Sequence, residues 1–400
     1  MLTVKKAILI VNEKLIEKLK LQRVVKMMKK PLQNLFLWAS VCGGISHTHS
    51  VIAEAYTPTD PQQIVAQWTI ATPTSLNALQ IQQRLQPQDP ASVVQLANQY
   101  LAQAAQPGQS RWYGVVEALL KPLIENNTQD FSVLLAWAQV QQHQHRFGIA
   151  QDVLQKILAQ QPDNLTANLL AARLQLIQGD AIAAQAICLR SLGHTDLLTL
   201  SACTLEARST LGAKELNESY AQLQQIVTSQ GLPEDERQVW IMQILADMAL
   251  REGQPQTAIN YLNTVKSRNS LSVWVQWADA QLALKNYQRV TDELTPLIDS
   301  NTQADDALLV RLAIAEKNIA SAKKWQAQVR ERMVLRELRD DQAHAADLAI
   351  YYLDVAPDTH KALHWAERNW QQAREASDKQ LLLRAQQAAG VATASEQAGV

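Results

Sequence analysis

Residues 131–164 read FSVLLAWAQVQQHQHRFGIAQDVLQKILAQQPDN, and the next 34, residues 165–198, read LTANLLAARLQLIQGDAIAAQAICLRSLGHTDLL. In each stretch a small residue on a first apolar segment (Ala138, Ala172) is followed twelve positions later by another on a second (Ala150, Ala184). Larger apolar residues surround them: Leu134, Trp137, Leu154 and Ile157 in the first unit, Leu169 and Cys188 in the second. Small residues let two antiparallel helices approach closely, and the bulky neighbours fill the gaps beside the crossing. The turn Gly179-Asp180 ends one first helix, and Pro162 stops one second helix.

The same register recurs outward from this pair. Residues 200–233 place Ala207 and Ser219 there with Leu223 and Ile226, residues 239–270 place Ala246 and Ala258 around Gly253, and residues 271–304 carry Ala278 and Val290 with Trp274, Trp277 and Leu294. A two-helix unit cannot bury its apolar face alone, so such units stack into a solenoid. Looser hairpins flank the five. Before them, Ala91–Asn127 has an enlarged turn at Gln106-Pro107-Gly108. After them come Asp306–Leu338, with a long basic second helix, a hairpin over 341–373 broken at Val355–Asp358, and a capping helix near 378–390.

Composition agrees with an all-α chain. Hydrophobic residues make up 47% of the 400, aromatics only 5%, and there are just 12 glycines and 13 prolines. Leu, Ala, Gln, Arg and Glu dominate, and these lose little side-chain freedom in a helix. Residues 1–55 hold nine Lys/Arg against three acids, whereas the remainder holds 28 against 35. A mildly acidic body argues against nucleic-acid binding, which needs clustered cations on one face.

The N-terminus reads as an address. Met28-Lys29-Lys30 supplies a charged start, Leu32 to Ile45 an apolar stretch, and Ala53-Glu54-Ala55 a small-x-small site before the turn-prone Tyr56–Pro61. That order is the pattern of a secretory signal peptide, with cleavage expected after Ala55 and a periplasmic or secreted mature chain. The alternative is an uncleaved membrane anchor with the body facing the periplasm. Beyond the leader only Cys188 and Cys203 remain, as a pair or as two buried thiols.

No catalytic set emerges, and no cofactor site is expected. The glycines form neither GxGxxG nor GxxxxGK[ST], and no CxxC or HExxH occurs. His143 and His145, at i,i+2, read as solvated turn residues. His360 and His364 share one helix face, and with His344 they are the single metal-binding alternative, outweighed by a surface reading. Asp305-Asp306 and Asp340-Asp341 read as acids favoured at helix starts. The run Lys323 to Arg339 reads as a solvated helix laced with i,i+4 pairs, and Trp325, Trp365 and Trp370 as core anchors.

The small residues, the bulky residue before the first of them and Pro162 resemble the tetratricopeptide repeat (TPR) motif, well over 131–164 and 239–297 and more loosely over 200–233. The resemblance implies a right-handed α-solenoid of stacked antiparallel hairpins, about seven or eight over residues 91–390. An extension with its leader (1–55) and a linker with one helix (56–90) precede it, and a flexible tail (391–400) follows. In that family the second, fifth and ninth positions of each unit face a concave groove. Carried over, the ninth-position row is Gln139, Arg173, Arg208, Asp247 and Asp279, the fifth is Leu135, Leu169, Thr204, Gln243 and Val275, and Trp240 holds a second position. The implied surface, basic in the middle and acidic at the far end, suits an extended or helical peptide. The functional expectation is an exported scaffold binding a protein or peptide in the cell envelope, and no enzyme. The alternative is an assembly factor for a membrane or metalloprotein complex.

Overall fold

The computed structural model describes residues 74–390, apart from 86–88, 267–268, 300–303 and 320–322. The leader, the expected cleavage site and the tail lie outside the described residues. The described residues belong to one compact unit. Its described residues contain eighteen α-helices and no strand.

Helix α1 (Thr74–Leu85) precedes the hairpin of α2 (Pro90–Ala104) and α3 (Arg111–Glu125). The five registered units are α4/α5 (Phe131–His143, Phe147–Gln160), α6/α7 (Leu165–Ile177, Ala181–Leu189), α8/α9 (Leu197–Ser209, Ala213–Gln230), α10/α11 (Arg237–Arg251, Pro255–Val265) and α12/α13 (Leu271–Ala283, Tyr287–Asp299). Then come α14/α15 (Asp306–Asn318, Lys324–Leu338), α16/α17 (Ala345–Ile350, Thr359–Gln372) and a last helix, α18 (Ala376–Ala388). Between α16 and α17 the chain winds as a π-helix over Tyr351–Val355, then breaks at the expected place. Each helix packs on the next, and the first helices of successive hairpins also touch one another. This is the stacked-hairpin solenoid that the repeat requires.

The twelve-residue pairs are the reason. Ala138 and Ala150, Ala172 and Ala184, Ala207 and Ser219, Ala246 and Ala258, and Ala278 and Val290 are all buried. Local chemistry frames each hairpin. Asp130, Asn164 and Asp196 begin α4, α6 and α8 by accepting backbone N–H bonds from Val133 (3.1 Å), Ala167 (3.0 Å) and Thr199 (2.9 Å). Seven positions after the first small residue, four hairpins turn through a left-handed residue: His145 (φ 59°), Gly179 (81°), Gly253 (71°) and Lys285 (58°). Cys188 and Cys203 are joined as a disulfide that ties the end of α7 to α8, which decides between the two readings of those thiols.

Three expectations need correction. Asp305 and Asp306 are buried tertiary partners, not merely acids at a helix start. Asp305 accepts the Gly108 N–H, while Asp306, with its side chain 1% exposed, takes Arg332 and Arg336. The basic helix α15 therefore spends Arg332 and Arg336 on Asp306 of α14 rather than on i,i+4 pairs along its own surface. His143 and His145 are exposed, yet the His143 ring stacks on Tyr113 with centroids 3.3 Å apart. Trp325 and Trp365 are buried as expected, and Trp370 is half-buried.

The solenoid also meets itself. The Leu271 N–H donates to the Ala105 carbonyl (2.8 Å), the Gly108 N–H to Asp305, and the Arg374 N–H to the Ile177 carbonyl (2.7 Å). Each bond spans more than 160 residues, so the curvature brings early hairpins against late ones.

Filling one crossing should loosen the stack at a known place. Ala246→Leu is expected to cost about 1–3 kcal/mol by overpacking α10 against α11. Chemical denaturation followed by circular dichroism checks it, and an unchanged midpoint would contradict close packing there.

Candidate interaction groove

The first helices α6, α8, α10 and α12 lie side by side because each hairpin repeats the same crossing. Their shared face forms the floor of a cavity of about 1140 Å³. The turns Gly179–Ile182 and Thr210–Ala213 edge it, and residues from Arg374 to Leu383 form a further wall. The volume is somewhat larger than that of an ordinary small-molecule cleft.

Six of the eleven residues placed in the groove by sequence line this cavity: Arg173, Trp240, Gln243, Asp247, Val275 and Asp279. The other five do not. Leu135 and Leu169 pack, half-buried, against neighbouring cores, and Gln139 lies outside the lining. Thr204 donates its hydroxyl to the Leu200 carbonyl of its own helix (2.9 Å), and Arg208 is drawn to Glu218 on α9. The cavity is thus centred on α6 to α12, and α4 contributes only His143.

The expected basic middle and acidic far end are replaced by local neutralisation. Arg173 forks onto both oxygens of Glu375 (2.8 and 3.1 Å) and stands 3.5 Å from Glu206. Arg251 holds Asp247 (2.8 Å) and reaches back to the Ser209 carbonyl and hydroxyl on α8 (2.8 and 2.7 Å). Arg311, itself 9% exposed, forks onto Asp279 with two bonds of 2.7 Å. Bidentate pairs of this kind are the strong, directional form of the interaction. Between them Ile182, Leu211, Trp240 and Val275 offer apolar surface, with Ile182 and Leu211 exposed.

Glu206 is the strained member. Burial pushes its carboxyl up to about 7, and the nearby charges of Glu375 and Asp247 act in the same direction, against the pull of Arg173 and Arg251. Sequence reading passed over Glu206, Arg251, Arg311 and Glu375. Glu206 and Arg251 lie on first helices that carry those rows, so a wider reading of those faces would have found them, whereas Arg311 lies one hairpin beyond the last row. Glu375 arrives from a distant hairpin, and no local pattern marks it.

The metal alternative finds no support in the geometry. His360 and His364 are exposed, and His344 turns to Asp341 (3.2 Å) and Asp306 (3.8 Å). Among the described residues no three His, Cys, Asp or Glu side chains converge as a metal site would require.

No family model and no curated protein sequence matches the chain. Among solved structures it is similar to a tetratricopeptide repeat protein from Parabacteroides merdae, at 13% identity and a TM-score of 0.43, over 60% of this chain and 91% of that one. It is also similar to the TPR domain of P58(IPK), at 13% identity and a TM-score of 0.26, over 75% of this chain and 98% of that one. A third is Naa15/Naa10 bound to HypK-THB, at 13% identity and a TM-score of 0.28, over 79% of this chain and 58% of that one.

The raised Glu206 carboxyl has a definite sign. The folded protein prefers it protonated, so this contribution to stability is full below pH 4.5 and is lost as pH rises through about 7. Glu206→Gln is expected to raise the unfolding midpoint at pH 8 and to flatten its decline between pH 5 and 8. Thermal melts at several pH values check this, and parallel curves for the two proteins would contradict it.

Proposed function

We propose that this protein is an exported scaffold that binds a protein or peptide of the cell envelope on the concave face of its TPR-like solenoid. The observation that carries the reading is the cavity of about 1140 Å³ across four consecutive first helices, with apolar patches set between oriented ion pairs. Such a surface gives a partner both hydrophobic area and a charge register.

Export rests on the leader pattern and gains support from the disulfide between Cys188 and Cys203, because such bonds persist in oxidising compartments. Two experiments test the two halves of the reading. Affinity capture from envelope extracts is expected to lose its specific partner, by about tenfold or more, with Trp240→Ala or Val275→Asp. Arg208→Glu, outside the cavity, should keep it, and equal recovery with all three variants would sink the groove. Mass spectrometry of the native protein should find a mature chain beginning at Tyr56, with Cys188 and Cys203 resistant to alkylation. An intact leader with two free thiols would overturn export in this form.

A further inference from the structure

Ala373-Arg374-Glu375 connects α17 to α18, and the segment is extended: φ/ψ is −126°/128° at Ala373 and −72°/170° at Glu375. It does not dock on the neighbouring hairpin. It crosses to α6, about two hundred positions earlier, and its three residues each make one kind of contact there. Ala373 is buried in the same apolar cluster as Leu174 and Ile177. The Arg374 N–H donates to Ile177 (2.7 Å), a terminal carbonyl that its own helix leaves open. Glu375 closes the fork on Arg173.

The site under the segment is shaped for close approach. Gly179 holds φ +81°, and a Cβ there would stand 3.0 Å from the Arg374 Cβ. The rest of the C-terminal hairpin does not need this contact. Ala362, Trp365, Ala366, Leu381 and Ala385 are buried in the large core shared with the late hairpins. A backbone bond, a pocket for one small side chain and a charge fork two residues on are the elements by which folded domains hold extended peptides.

Resting on the groove as partner site, we propose that Ala373–Glu375 is a built-in stand-in for the partner. The α6 edge of the groove takes an extended protein segment whose small apolar residue enters the Leu174–Ile177 cluster beside the cavity and whose carboxylate, two positions later, meets Arg173. That segment displaces the chain's own from α6. Being tethered, the internal segment competes at an effective concentration on the order of millimolar, so the partner must bring further contacts along the apolar floor.

The test uses the full chain and a fluorescein-labelled synthetic peptide with the sequence of residues 370–377, WQQAREAS. Fluorescence polarisation should show weak binding to the unmodified protein and binding at least about tenfold tighter to Glu375→Gln, whose internal fork is cut. Adding Arg173→Glu should remove that gain, and a peptide carrying E375K should not bind. No binding to Glu375→Gln, equal affinity for the two proteins, or binding that survives Arg173→Glu overturns the proposal. Should Glu375→Gln not fold, hydrogen exchange in the unmodified protein decides. Millimolar peptide should speed exchange at the Arg374 amide, and unchanged protection overturns the proposal. The peptide assay involves no envelope partner, so its failure is distinguishable from failure of the scaffold reading.

Discussion

Everything in this fold depends on how closely two antiparallel helices can cross. A bulky residue at Ala138 or Ala246 would hold the backbones apart and leave voids that the neighbouring leucines cannot fill. With small residues at both ends of the twelve-residue interval, each hairpin closes and presents an apolar flank. Only another hairpin can cover that flank, and the stack follows. The one β-branched exception, Val290 opposite Ala278, is buried as completely as the alanines it replaces.

The groove is a by-product of that repetition. Because the first helices of successive hairpins touch, the side chains on their shared face converge, and charged residues find partners across the hairpin boundaries. Arg251 bridges α10 to α8, and Arg311 bridges α14 to α12. These pairs orient the helices while keeping the cavity near neutrality. Glu206 is the exception. Two other carboxylates crowd it, and the arginine it shares gives its fork to Glu375.

The hairpins were legible in the sequence to within a few residues, since caps such as Asp130 and Asn164, left-handed turns such as Gly179 and the paired alanines act over short range. That six of the residues placed by the repeat register line one cavity has the same cause, since their helix faces follow from that register. The charge pattern was not. Arg173 and Arg208 look alike in the repeat, yet one forks onto Glu375 and the other turns to Glu218. Asp305 and Asp306 look like ordinary acids at a helix start, yet one receives a glycine N–H from a turn 197 residues away.

By itself, then, the sequence determined the helical class, the stacked hairpins and the face that each first helix presents. All of these follow from contacts within about forty residues, where spacing and side-chain size suffice. Only the tertiary structure decided that the early and late hairpins meet, that Ala373–Glu375 lies on α6, and which acid each arginine holds. The physical reason is accumulation. Each hairpin adds a small rotation to the one before, and the sum over several of them sets where distant residues fall, although no single repeat encodes it.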